Sequence, residues 1–277
     1  MHETIDAALK EGAVRLRDIA ERPRLEAEIL MAHYLKKPRV WLHAHGNEPM
    51  QKSDAYFALI DRRSGGEPIE YITGRANFYD MTLLVGPGVL IPRPETELLV
   101  DRAAEIIEKN GCKHICEIGV GSGAVSITLA KKFPDLQIVA TDISPHALRW
   151  ACHNIEKFGL ARRIETVETD VMEGLEGDFD LVVSNPPYIA EDYPLDVSVR
   201  REPGRALFGG RNGDELLKRI IQTVKKRETP HLVCEMGYDQ KEPIRRFCLQ
   251  EGLPEPLFYK DWAGLDRGFY LCFNDIK

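Results

Sequence analysis

The 277-residue sequence has no apolar run near the ~20 residues that a bilayer-crossing helix needs, so no membrane span is expected. It has no CxxC pair either. Its six cysteines are scattered, which points away from a zinc site or disulfide framework and toward reduced, buried thiols. Basic excess is also missing: 37 Lys and Arg stand against 44 Asp and Glu, a formal charge of -7. Proteins that grip nucleic-acid backbone draw much of their affinity from neutralising phosphates, so a nucleic-acid partner is disfavoured. The opening residues MHETIDAALKEG lack the basic-then-apolar order of a secretory signal, and a cytoplasmic protein is expected. Internal repeats and low-complexity tracts are absent. What remains is 43% hydrophobic and 29% charged, the balance of a globular chain long enough for one large domain or two ordinary ones.

Composition and period divide the chain. From Ile5 to about Arg63 the pattern is helical. In RLEAEILMAHYLKK, residues Leu25, Ile29, Ala32 and Leu35 recur at steps of three and four, and Pro38 should end that helix. A second helix is expected over 51–63, stopped by Ser64-Gly65-Gly66. Between residues 74 and 92, apolar runs at 81–85 and 89–91 flank Gly86-Pro87-Gly88 and predict a hairpin linking two domains. Thereafter strands and helices alternate. Strands are expected at 114–118, 137–141, 164–167, 180–183 and 231–235, with helices at 95–108, 124–132 and 145–158 between the earlier ones. Two late runs, 256–260 and 268–273, have no helix between them and suggest an antiparallel pair at a sheet edge. The fold class expected is α/β: a doubly wound, mostly parallel, seven-stranded sheet behind a small helical bundle. The domains would be 1–73 (helical), 74–92 (hairpin linker) and 93–277 (sheet).

The first of these strands runs into EIGVGSGAVSITLA, with Gly119, Gly121 and Gly123 at alternate positions around Val120 and Ser122. Glycine lets the backbone turn sharply and lets a ligand approach the main chain, and the following helix offers free amides. The spacing is GxGxG rather than the dinucleotide GxGxxG, which suits an adenosyl amino acid better than a pyrophosphate. Asp142, about 20 residues on at the end of the second strand, could accept from two ribose hydroxyls. Its alternative is a helix cap before Ser144-Pro145. Asp170 with Val171, after the third strand, could flank an adenine ring by accepting from its amino group and by apolar contact; acids at strand ends are also ordinary turn chemistry.

Residues 184–188 read SNPPY and cut the fourth strand short. Two prolines remove two donors and stiffen the loop, and the residue before proline is held extended. On this edge of the sheet, Asn185 would face the methyl-donor site. The Asn185 side-chain oxygen and the Pro186 carbonyl could accept the two hydrogens of a planar NH2 group, with Tyr188 covering its face. Catalysis would then come from orientation and from stabilising developing charge, with no metal or covalent intermediate. Alone, the motif could equally be a proline-stiffened turn.

EIGVGSG, Asp142 and NPPY together resemble class I S-adenosylmethionine-dependent methyltransferases acting on amino or amide nitrogen, a group that modifies DNA, rRNA or protein. The longer context is narrower. EPIEYITGRANFYDMTLLVGPGVLIPRPETELLVD (67–101), RLEAEILMAHYL and EPGRALFGG are similar to the PrmC/HemK family, the glutamine methyltransferases of peptide chain release factors. The resemblance implies S-adenosyl-L-methionine as cofactor, S-adenosyl-L-homocysteine as product, and methylation of the glutamine of a release factor's Gly-Gly-Gln tripeptide on its side-chain nitrogen. By the same resemblance, residues 119–123, Asp142, Val171 and Asn185 would contact the cofactor, to which the strand-end reading adds Asp170, and Asn185, Pro186, Pro187 and Tyr188 would bind the glutamine. The helical segment helps grip a protein partner, and the chain is expected to act as a monomer. Glu117, Val120, Val171 and Phe208 depart from the residues frequent at these positions in the family.

Arg93, between Ile91-Pro92 and Pro94, is a candidate for positioning substrate, or for an ion pair with Glu95 or Glu97. His43 and His45 have no acid or cysteine cluster beside them and read as surface residues, and Trp262 reads as packing.

Overall fold

The computed structural model describes residues 4–50 and 52–273. The chain divides into two units, one comprising Met1–Arg75 with Leu195–Arg201 and the other Ala76–Pro194 with Glu202–Lys277.

The first unit is helical: α1 (Ile5–Arg15), α2 (Pro23–Leu35), α3 (Arg39–His45), α4 (Ser53–Ser64) and α5 (Ile69–Thr73). The Thr4 hydroxyl caps α1 by accepting from the Ala7 amide at 3.3 Å. Leu9, Leu16, Leu30, Met31, Tyr56 and Ile60 form its core. On α2 the buried face is Ala27, Leu30 and Met31, while Leu25, Ile29, Ala32 and Leu35 are only half-buried. The helix is apolar on more than one side, so two stripes satisfy the same period and packing partners decide between them. It ends at Leu35 with Lys36 left-handed, two residues before Pro38. Gln51, where the second expected helix was placed to start, lies outside the described residues. The segment Leu195–Arg201 joins this unit through the Arg201 guanidinium, which donates to the Gly65 carbonyl at 2.9 Å.

The second unit opens with a hairpin, β1 (Arg75–Phe78) and β2 (Met81–Leu84), turning at Tyr79-Asp80. The expected turn at Gly86-Pro87-Gly88 is therefore displaced, and residues 89–91 are not a strand. The real turn is held by tertiary bonds. Tyr79 takes a left-handed φ of 50° while its amide donates to Glu97 at 2.7 Å and its hydroxyl to Asp101 at 2.6 Å. Phe78, Met81 and Leu83 are buried in the core of the sheet unit, so the hairpin packs with the sheet rather than forming a separate linker.

The remaining elements are α6 (Thr96–Asn110), β3 (His114–Ile118), α7 (Ala124–Lys132), β4 (Gln137–Asp142), α8 (Pro145–Lys157), β5 (Ile164–Glu168), β6 (Leu181–Ser184), β7 (Ile189–Ala190), β8 (Phe208–Gly210), α9 (Glu215–Lys226), β9 (His231–Glu235), α10 (Lys241–Gln250), β10 (Leu257–Lys260) and β11 (Asp266–Cys272). Seven strands form one sheet in the order β10-β11-β9-β6-β3-β4-β5. The five from β9 to β5 are parallel, and β11 and β10 add antiparallel at the edge. Both faces are covered, which is why β3, β6 and β9 are nearly continuous apolar runs. On α9, Leu217, Ile220, Ile221 and Val224 bury one stripe at helical spacing. Trp262 is an exception to expectation: it is 74% exposed in the turn between β10 and β11, where Asp261 accepts backbone amides and fixes the turn without the indole.

Candidate active site

Chain order reverses direction around β3, which has β4 on one side and β6 on the other; that is where open sheets of this type place a crevice. Ile118 and Ser184 are register partners at the carboxyl ends of β3 and β6. Residues 119–123 and 185–188 therefore leave the sheet side by side. Ser184 fastens the two ends by donating to the Ile118 carbonyl at 2.8 Å.

In the glycine turn, the Gly119 and Val120 amides both donate to the Thr141 carbonyl at 2.8 Å, curling the loop over β4. Gly119, Gly121 and Gly123 all have φ between 55° and 84°. Their surroundings differ. A Cβ on Gly119 or Gly121 would meet nothing nearer than 3.8 Å, so bare backbone faces open space. A Cβ on Gly123 would lie 3.1 Å from Ile127 and 3.6 Å from the Ala151 backbone, so Gly123 permits the packing of α7 against α8 and does not line the cavity.

Asp142 ends β4 and accepts from the Gly121 amide at 3.1 Å and the Ser144 amide at 2.8 Å. The cap of α8 belongs to Ser144, whose hydroxyl accepts from Ala147. Burial raises the Asp142 pKa against the pull of these amides. Glu117 is buried beneath the turn and accepts from both the amide and the hydroxyl of Ser126. Burial pushes its carboxyl up to about 8. Asp170 sits two residues beyond β5 and is ion-paired with Arg219 of α9. Val171 is buried in left-handed backbone, its carbonyl accepting from Thr141 at 2.9 Å.

The NPPY loop is fixed at several points. The Asn185 side-chain amide nitrogen donates to the Thr96 hydroxyl at 2.9 Å, and Thr96 donates to Glu235 at 2.8 Å. The Tyr188 hydroxyl donates to the other oxygen of Glu235 at 2.9 Å. The Tyr188 carbonyl accepts from Gln240 at 2.8 Å, and β7 pairs with β8 directly after the motif. Tyr188 thus differs from its expected place: it does not line the cavity, and its ring packs against the core on the α9 side of the sheet. A buried carboxylate behind the loop holds the phenol there. Arg93 does line the cavity, but its ion-pair partner is Glu202 at 2.5 Å, neither Glu95 nor Glu97. Glu202 is buried and also accepts the Ile91 amide at 3.0 Å, tying the IPRPETE segment to EPGRALFGG.

These parts enclose one cavity of about 450 Å³. Gly119, Val120, Gly121 and Ser122 line one wall, Asp142, Asp170 and Val171 another, and Asn185, Pro186 and Pro187 the mouth beside Arg93 and Phe208. Sequence reading missed Thr96, Asn154, Glu202, Gly209 and Glu235. Asn154 is fully buried and joins the site to the hairpin: it bonds the Leu84 amide at 2.7 Å, the Leu84 carbonyl at 2.9 Å and the Ser122 carbonyl at 2.9 Å. A signal existed for Glu235, since an acid ending an otherwise apolar strand on the ligand edge has to find buried donors.

The open backbone at Gly119 and Gly121, a carboxylate at the end of β4 and an apolar wall at Val171 fit an adenosyl amino acid. With the NPPY loop in the same cavity, the fold and site define a class I S-adenosylmethionine-dependent methyltransferase. Residues 7–74 match the PrmC N-terminal domain family, and residues 95–200 match the methyltransferase small domain family. The chain belongs to the release factor glutamine methyltransferase family. It is 36% identical over 266 residues to the protein of that name from Salmonella typhimurium, covering 94% of this chain and 95% of that one. To the one from Clostridium acetobutylicum it is 35% identical over 272 residues, covering 95% of each. Solved structures with the same fold include the hMettl16 catalytic domain bound to a MAT2A hairpin, at 16% identity with a TM-score of 0.58 over 79% of this chain and 93% of that one. Another is the ribosomal protein L11 methylase of Lactobacillus delbrueckii subsp. bulgaricus, at 18% identity and 0.51 over 72% and 98%.

Proposed function

We propose that this protein transfers the methyl group of S-adenosylmethionine to the side-chain nitrogen, N5, of the glutamine in the Gly-Gly-Gln tripeptide of peptide chain release factors. The observation that carries this reading is the shared cavity, with the bare glycine turn and the NPPY loop leaving adjacent strand ends. Relatives named for this activity, aligned over nine-tenths of the chain or more, support the choice of substrate.

Bound S-adenosylmethionine supplies an electrophilic methyl group on a sulfonium sulfur and leaves as S-adenosylhomocysteine. The residues that would hold it are Gly119, Val120, Gly121 and Ser122 with Asp142, Asp170 and Val171. Each Asp142 oxygen accepts one backbone amide and retains a lone pair for a ribose hydroxyl. A carboxamide nitrogen is a weak nucleophile because its lone pair is delocalised into the carbonyl. The Asn185 side-chain oxygen and the Pro186 carbonyl would each accept one of its hydrogens, fixing the plane of the amide and aiming the nitrogen at the methyl group. The same two acceptors stabilise the positive charge that grows on nitrogen as it is alkylated, after which the nitrogen is acidic and releases a proton. Pro187 keeps the loop stiff, and Tyr188 anchors it from behind. Arg93, held by Glu202, would position the incoming backbone. The helical unit would grip the release factor, and the acidic balance favours a protein partner over nucleic acid, with the enzyme working as a cytoplasmic monomer.

The test is incubation with a labelled methyl donor and, in separate reactions, a release factor, DNA and rRNA. Label on the release factor is expected; label on nucleic acid alone contradicts the reading.

A further inference from the structure

The Asn185 side chain is useful only one way round. Its oxygen and nitrogen are nearly the same size, and a half-turn of the amide exchanges an acceptor for a donor at the cavity. Nothing in the NPPY sequence chooses between them. The choice is made by the buried groups behind it.

Resting on the functional reading above, we infer that Glu235 is a positioning residue that acts through Thr96 to hold the Asn185 amide with its oxygen toward the cavity, and through Tyr188 to fix the far end of the same loop. A carboxylate only accepts. Because Glu235 takes the single Thr96 hydroxyl proton at 2.8 Å, the Thr96 oxygen can only accept from Asn185. Asn185 must then turn its NH2 inward, as it does at 2.9 Å, leaving the oxygen as the free end of the amide. The second Glu235 oxygen accepts from Tyr188 at 2.9 Å, so one side chain sets both ends of a four-residue motif. Glu235 is 1% exposed and Thr96 4% exposed, so water does not replace either contact. A buried carboxylate is costly, and a hydrophobic residue at the end of β9 would pack without that cost.

Ionised Glu235 accepts at both oxygens and so fixes the direction of this chain. Protonation leaves one oxygen an acceptor and makes the other a donor. With the proton on the oxygen that faces Thr96, that hydroxyl receives rather than gives, its own proton turns to Asn185, and the amide reverses. Burial pushes the Glu235 carboxyl up to about 7, opposed by the Thr96 and Tyr188 hydroxyls. Arg267 on β11, itself paired with Asp261 at 2.8 Å, also favours the ionised form, while Glu95 ahead of α6 disfavours it. Tyr259 on β10 and Cys234 on β9 face the same interior, and burial raises both above their ordinary ranges.

The experiment compares the full-length protein with its Thr96→Val, Thr96→Ser and Glu235→Gln variants. Turnover is measured with a release factor from pH 5.5 to 8.5, and the Asn185 side-chain amide is followed by NMR over the same range, its signal identified by its loss in Asn185→Ala. Expected in the wild type are an acid limb in kcat and an Asn185 amide titration sharing a midpoint near 7. In Thr96→Val, kcat falls about 100-fold with the cofactor KM nearly unchanged, and Thr96→Ser, which restores the hydroxyl, recovers most of the loss. Both the limb and the titration vanish in Glu235→Gln. A purely structural role for Glu235 would lower stability but leave the Asn185 titration untouched. Near-normal kcat in Thr96→Val, or an Asn185 titration that survives in Glu235→Gln, overturns the inference. Should Thr96→Val not fold, the Glu235→Gln titration decides alone. A wild type that fails to methylate any release factor refutes the functional reading instead, because the amide titration needs no substrate.

Discussion

An added Cβ on Gly209 would lie 2.4 Å from the Pro187 carbonyl oxygen and 2.3 Å from that of Gly213. Both are backbone atoms beside the β7–β8 pair, so neither moves as freely as a side chain would. Gly209→Ala is expected to cost about 3 kcal/mol and most of the activity, because NPPY must shift to admit the methyl group. Five residues earlier, a Cβ on Gly204 would make an ordinary 3.6 Å contact with Phe208, and Gly204→Ala should unfold at nearly the wild-type temperature. Equal melting temperatures for the two variants would contradict this assignment. Asn185→Ala removes one of two proposed acceptors, so turnover should fall by about 100-fold while much of the cofactor affinity, measured by calorimetry, remains. At this scale the site was legible where its residues are contiguous. GVGSG and NPPY are windows of five and four residues, and all of them but Gly123 and Tyr188 line the cavity, as does Asp142 at the end of the next strand. Glu235 carried only the signal of an acid ending an apolar strand; its partner Thr96 is 139 residues away in sequence, and no local pattern records such a pairing. Tyr188 was misplaced for the same reason: its ring could be read from the motif, but not the carboxylate that draws its hydroxyl inward.

Strands declared themselves more plainly than turns. The runs 114–118 and 231–235 coincide with β3 and β9 because a strand covered on both faces has to be apolar throughout. The hairpin did not, because its turn is Tyr79-Asp80, without glycine or proline, and owes its shape to Glu97 and Asp101 on α6. The stronger local signal, Gly86-Pro87-Gly88, instead serves packing: a Cβ on Gly86 would lie 2.5 Å from the Trp150 ring of α8. One buried amide connects these elements. Asn154 on α8 bonds both backbone groups of Leu84 in β2 and the Ser122 carbonyl in the glycine turn. Asn154→Leu keeps the branched skeleton of the side chain and removes all three bonds, leaving backbone groups of Leu84 and Ser122 unpaired. A loss of about 3 kcal/mol in denaturant unfolding is expected, together with weaker cofactor binding. Reduced stability with unchanged cofactor affinity would mean that the clasp serves the hairpin alone.

Across the whole molecule, two buried carboxyls with raised pKa values make stability fall between pH 4.5 and about 8. Burial raises Glu117 to about 8 and Glu235 to about 7 from an ordinary 4.5. Between pH 4.5 and those values the folded state holds protons that the unfolded state has released, so stability falls as pH rises through the window. His33, lowered chiefly by burial, acts in the opposite sense but below its ordinary 6.5. The melting temperature should therefore decline from pH 6.5 to about 8 and level off above, and the decline should flatten in the double variant Glu117→Gln, Glu235→Gln. An unchanged slope would remove these two groups as its cause. The helical unit and the sheet unit differ in period, but the return of Leu195–Arg201 to the helical unit leaves no trace in the sequence, since those seven residues carry no periodic signal. The central claim, methyl transfer to a glutamine side chain, is tested most directly by peptide-mapping mass spectrometry of a release factor after incubation with the enzyme and S-adenosylmethionine. One added methyl group on the glutamine of the Gly-Gly-Gln tripeptide, absent with Asn185→Ala, is the expected result; an unmodified glutamine, or a methyl group located elsewhere in the release factor, would contradict it.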